Sequence, residues 1–187
     1  MILIAAALAC VACVPLTGGR LARLLELRLR WSWAALSALA LQVIITTLAP
    51  SGSTGVHELL HIGSYVLAGA FIVANRHVAG LPTLSLGAAL NSLAIVANAG
   101  VMPASARAMR LAGLESSDQF ANSAAVAHPH LLMLGDVIPV PGPWPLGNVI
   151  SLGDIVIIAG LFIILRRACA RNAARATCSA VSAARRA

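Results

Sequence analysis

The sequence predicts an all-α integral membrane protein of about five transmembrane helices, with its N-terminus outside and its C-terminus inside. Three observations carry that expectation. Of 187 residues, 59% are hydrophobic and only 10% are charged, with a mean hydropathy of +0.89; soluble domains carry about 25% charge. Apolar runs recur at close to the ~20 residues that a bilayer core requires. The 13 basic residues are all arginine and gather between those runs, mostly on alternate connections.

The expected spans cover about 1–17, 31–50, 55–75, 81–98 and 149–166. Each is read as a helix, because lipid-facing backbone must satisfy its own hydrogen bonds. The first run, "MILIAAALACVACVPLTGG", has no positive charge ahead of it, and its arginines follow it. It is therefore read as a retained helix rather than a cleaved leader. Trp31 and Trp33 open the second run and Trp144 precedes the fifth, as interfacial anchors do. Arg20, Arg23, Arg28, Arg30 and Arg76 fall on the first and third connections, and Arg166, Arg167, Arg171, Arg175, Arg185 and Arg186 follow the last run. Only Arg107 and Arg110 fall on the opposite side, so the positive-inside rule sets the orientation.

The predicted membrane domain is 1–166, with an outer loop at 99–148. "MPASARAMRLAGL" (102–114) reads as an interfacial helix starting at Pro103. Residues 124–147 are apolar but broken by five prolines, which suits a short re-entrant or surface-lying piece. The Arg/Ala-rich tail, 167–187, is expected to be disordered or to lie along an anionic inner leaflet. The net charge of +7 comes with apolar runs, which argues for lipid and against nucleic acid. Cys10, Cys13, Cys169 and Cys178 do not form a secreted disulfide framework. The Cys10-x-x-Cys13 pair, one turn apart on an apolar helix, reads as small packing residues.

The sharpest chemical motif is His57-Glu58-Leu59-Leu60-His61. On a helix it places two imidazoles on one face for zinc, with Glu58 as general base on a metal-bound water. A third ligand is required, and Asp136, Asp154, His128 and His130 are the candidates. The plainer alternative is the polar entrance of the third helix, with Glu58 at the positive helix end. On this alternative the chain has no cofactor; on the other it binds Zn.

Three further features concern polar groups in apolar surroundings. Asn91 and Asn98, seven apart, share a helix face, and Gln42 in the second run is a partner amide for them. Asn98-Ala99-Gly100 reads as a helix end with Gly100 in the left-handed position and Pro103 preventing continuation. Leu-Gly-Asp occurs at 134–136 and 152–154; Ser151 and Asp154 have capping-box spacing, whereas Asp136 has no local explanation.

"GGRLARLLELRLRWSWAALSALALQ" (18–42), "LNSLAIVANAGVMP" (90–103), "LLMLGDVIP" (131–139) and "ISLGDIVIIAG" (150–160) together resemble a family of uncharacterised bacterial multi-pass membrane proteins known only as a domain of unknown function. The resemblance covers most of 1–166 and implies a small helical protein of the bacterial plasma membrane, with no established activity. It points to Gln42, Asn91, Asn98, Gly100, Met102, Pro103, Asp136, Ser151 and Asp154 as the residues of interest, and HELLH is not part of its pattern.

The expected function is a non-enzymatic binding, interaction or assembly component of the bacterial plasma membrane. A homo-oligomer or a larger membrane complex is an expected context, since short helices enclose little volume. The rivals are a small transporter or channel using Gln42, Asn91 and Asn98, and an intramembrane zinc metallopeptidase using 57–61.

Overall fold

The computed structural model describes residues 2–48, 55–114, 123–124, 129–142 and 147–170; side chains at 46–48, 55–58, 61 and 123–124 lie outside that description. The elements in chain order are α1 (Ile2–Leu16), a 3-10 turn (Leu21–Glu26), α2 (Ser32–Leu48), α3 (Gly55–Ala74), α4 (Leu81–Ala97), β1 (Met102–Pro103), α5 (Ala106–Leu111), β2 (Ser123–Ala124), a second 3-10 turn (Leu132–Leu134), β3 (Asp136–Val140), β4 (Asn148–Ser151) and α6 (Leu152–Cys169).

Local chemistry sets the element ends. Gly80 sits at φ 94° before α4, and Pro82 lies in the first turn, where its missing N–H costs nothing. α4 stops at Asn98: the Gly100 amide returns to the Ile95 carbonyl at 2.9 Å, with Gly100 at φ 93°. Ser105 caps α5 by accepting from the Ala108 amide. Ser151 caps α6 in a full capping box with Asp154.

The central packing unit is the antiparallel pair α4–α6. Gly80 and Gly87 face Gly160 and Gly153, seven residues apart on each side. A methyl carbon at Gly87 would lie 2.5 Å from the Gly153 carbonyl oxygen, and one at Gly80 would lie 2.6 Å from that of Gly160. Gly160 abuts the Leu84 backbone in the same way. The helices touch backbone to backbone, and only hydrogen side chains allow that approach. α1 lies against α6 through Cys10, Val14, Leu165 and Cys169, while α2 and α3 form a second pair. At the far end β3 and β4 form an antiparallel hairpin, β1 pairs in parallel with β2, and α5 covers β4 through Ala108, Ala112 and Val149.

These observations correct the expected five-span membrane fold. Helices form where the five apolar runs predict them, but no helix among the described residues is long and apolar enough to cross a membrane. α1, α2 and α4 have 15, 17 and 17 residues, against the roughly 20 that a span needs. α6 has 18 but carries Asp154 in its first turn and Arg166 and Arg167 in its last. The inside and outside assignments built on spans fall with them. The chain is also not all-α: residues 99–148 contain strands as well as a short helix. Pro103 lies in β1 rather than starting a helix, because Ser105 supplies the cap two residues later. The tail beyond 170, Trp144, His128 and Cys178 lie outside the described residues.

Candidate functional site

α4 presents Asn91 toward the N-terminus of α6, and the capping box there supplies its partners. Asn91 Nδ2 donates to Asp154 Oδ1 at 2.8 Å, while the Ser151 hydroxyl donates to Asn91 Oδ1 at 2.8 Å. Asp154 Oδ2 accepts from the Ser151 amide at 3.1 Å, and Ser151 Oγ accepts from the Asp154 amide at 3.0 Å. Three side chains and two backbone amides thus close on one another. Ser151 and Asp154 are buried, so each partner meets a group whose burial would otherwise cost free energy. Gly153 lies directly beneath the Asn91 amide, where any side chain would collide with it.

Asp136 joins this cluster through the backbone. It opens β3, pairs in register with Ser151, and is 7% exposed. Its carbonyl accepts from the Ser105 amide at 2.9 Å, and Ala104 bridges to it in parallel. The preceding Gly135 packs against the Pro103 carbonyl, with no room for a Cβ. Met102 and Pro103 are buried beside it.

Asn98 fixes the neighbouring loop. Its amide nitrogen donates to the Ala94 carbonyl one turn back (2.8 Å) and to the His130 carbonyl (2.7 Å), and its oxygen accepts from the His130 amide (2.9 Å). The side chain therefore pairs with His130 as a β-strand neighbour would. The next residue, Leu131, is left-handed at φ 52° and leads directly into a 3-10 turn.

The same device recurs at the opposite end. Asn75, just past α3, donates to Phe71 O (2.8 Å) and Arg30 O (2.7 Å) and accepts from Arg30 N (2.8 Å). Trp31 follows at φ 54° and leads into α2. Asn75 escaped the reading of the sequence. Its signal was present in the duplicated Ile-Val-Ala-Asn of 72–75 and 95–98, each ending a helix.

Gln42 stands elsewhere. It donates to Ser64 Oγ at 2.7 Å across α2–α3 and lines a cleft of about 430 Å³ with Tyr65, Leu84 and Ser85. Ser85 Oγ is buried with no hydrogen-bond partner among the described residues. His57, Glu58 and His61 fall on the first turns of α3, but their side chains lie outside the described residues. Among the described residues, no three His, Cys, Asp or Glu side chains gather as a metal site.

Fold and site define a small helical bundle whose polar side chains are turned inward to clamp helix ends, a hairpin and a loop. A family described as a family of unknown function (DUF5317) matches residues 26–166, and the chain belongs to it. It is similar to an uncharacterised protein of Thermotoga maritima, 34% identical over 106 residues, which are 57% of this chain and 62% of that relative. No solved structure matches the chain.

Proposed function

We propose that the protein is a non-enzymatic binding or assembly component that works at the bacterial plasma membrane, with apolar helix faces against lipid. The observation that carries this reading is an inverted polarity. Asn75, Asn98, Asp136, Ser151 and Asp154 are buried, whereas Trp33, Leu36, Leu39, Val66 and Val96 are each more than 60% exposed. Large apolar side chains left exposed along three helices in this way fit contact with lipid or with another chain. The closed Asn91–Ser151–Asp154 network further supports a structural role for the cluster: its side chains bond one another and the first amides of α6.

Fractionation of cells producing the tagged chain tests this reading. The protein is expected to pellet with membranes and to require detergent, not salt alone, for release. A monodisperse product in the detergent-free supernatant would overturn it.

A second reading, capture of a small, largely apolar solute in the α2–α3–α4 cleft, is favoured by the buried Ser85 hydroxyl, which has no hydrogen-bond partner among the described residues and lies on an otherwise mostly apolar wall. The thiol of the variant Ser85→Cys then reacts with a small thiol reagent, and solute protects it. A thiol at that position inert to every reagent would count against capture.

A further inference from the structure

We infer that the end of the bundle opposite the polar cluster is a seat for anionic phospholipid headgroups, built from arginines of three separate chain segments. This rests on the lipid-contact reading above and adds which lipid is contacted and by which face.

The fold brings the three segments together. The Arg20 amide donates to the Cys169 carbonyl at 3.1 Å, and the Arg23 guanidinium donates to the Ala170 carbonyl. Both contacts tie the first connection to the C-terminal end of α6, where Arg166 and Arg167 lie in the last turn. The backbone of Arg30 is held by Asn75, the neighbour of Arg76. Gly80 closes the ring by packing against Gly160 and Ile164 of α6. Arg20, Arg23, Arg28, Arg30, Arg76, Arg166 and Arg167 therefore share one end, where Glu26 is the single carboxylate of segments 17–31, 75–80 and 161–170. All but Arg23 are exposed.

Charge alone would let any polyanion bind such a face. The apolar residues decide between a nucleic acid and a lipid surface. Leu16 (83%) and Leu25 (90%) stand almost fully exposed among the arginines, and Trp31 and Trp33 are more than half exposed beside Arg30. Arg166 lies over the Phe162 ring at 6.0 Å, with that ring also exposed. Arginine beside leucine and tryptophan suits the headgroup level, where guanidinium meets phosphate and the neighbouring side chains meet the upper acyl region. A nucleic acid would leave those leucines in water or against phosphate.

Trp31 and Trp33 make the face its own reporter. The full chain carrying Trp144→Phe is placed with vesicles of equal parts phosphatidylcholine and phosphatidylglycerol, one or the other brominated on its acyl chains. Brominated phosphatidylglycerol is expected to quench the emission several-fold more than brominated phosphatidylcholine. The preference should shrink in high salt, and should be lost in the variant Arg20→Gln, Arg28→Gln, Arg30→Gln, Arg76→Gln. Salt sensitivity of the parent chain serves as the independent measure if that variant does not fold. Equal quenching by the two lipids would overturn the headgroup inference while leaving lipid contact standing. No quenching by either would overturn the lipid-contact reading itself. A preference abolished by millimolar inorganic phosphate would mark a site for soluble phosphate and overturn the lipid source.

Discussion

Asn91 and Asp154, 63 residues apart in sequence, meet in a 2.8 Å hydrogen bond that ties the middle of α4 to the first turn of α6. The bond carries more than a pairwise contact. Asp154 is the reciprocal member of the α6 capping box, and the Ser151 hydroxyl that completes the box also donates to Asn91. Helix capping, hairpin end and helix–helix contact therefore share one set of polar atoms.

Asn91→Ala removes both of its hydrogen bonds at once and leaves the Asp154 carboxylate and the Ser151 hydroxyl short of a partner. A bond to a charged group contributes about 1.5–3 kcal/mol and a neutral one about 1, so a loss of about 2–4 kcal/mol is expected. Denaturant unfolding of the purified chain measures it. A loss below about 1 kcal/mol would mean that water replaces the amide and that the network is peripheral. Asn91→Asp should cost more still at neutral pH, because it sets two carboxylates face to face.

The glycine contact gives a prediction of opposite signs on two helices. Gly87→Ala puts a methyl group against the backbone of Gly153 and Ile157, which cannot rotate away. The helices must move apart, at a cost of about 1–3 kcal/mol. Gly69→Ala in α3 meets nothing within 4 Å among the described residues, and should gain up to about 1 kcal/mol from helix propensity. The same unfolding experiment reads both. Equal responses would show that the close approach of α4 and α6 is not a determinant of stability.

Thiol reactivity checks the α1–α6 contact. Cys10 and Cys169 are buried in one apolar cluster, whereas Cys13 is partly exposed. In the native chain a bulky thiol reagent should modify Cys13 well before Cys10 or Cys169, with mass spectrometry of the digested protein giving the order. Early modification of Cys169 would show that α1 does not rest on α6 as described.

How much of this was legible in the sequence depends on the range of the cause. The helices follow from long apolar runs, and the α6 cap from the spacing of Ser151 and Asp154, both local signals. The membrane-spanning expectation counted each apolar run as a span, but the helices that form on three of them, α1, α2 and α4, have only 15, 17 and 17 residues. α6 is charged at both ends, with Asp154 in its first turn and Arg166 and Arg167 in its last. Asn91 stood out as an amide on an apolar helix, but its partner could not be chosen by rule: Gln42 was the nearest amide in pattern, whereas the fold gives Asn91 a serine and an aspartate from the start of α6. The strand pairing of Asp136 with Ser151 depends on a hairpin whose residues alternate weakly, and nothing local announces it.

The paired asparagine clamps offer the most discriminating test, because the same chemistry acts at two remote places. Asn98 holds His130 ahead of left-handed Leu131, and Asn75 holds Arg30 ahead of left-handed Trp31. A left-handed residue other than glycine costs roughly 1–2 kcal/mol, so each turn persists only while its clamp over-determines it. Asn98→Ala should therefore release the second 3-10 turn, where the Leu134 amide bonds to Leu131 and that of Gly135 to Leu132. Amide exchange at Leu134 and Gly135 is expected to quicken on the order of a hundredfold, the equivalent of about 2.7 kcal/mol of lost local protection. The Ala34 amide, which bonds to the Trp31 carbonyl at the start of α2, should keep its rate. Asn75→Ala should do the reverse, quickening Ala34 and sparing Leu134. If either variant speeds both sites equally, the asparagines support global stability instead of two independent turns, and the correspondence between the two Ile-Val-Ala-Asn helix ends has no local mechanical meaning.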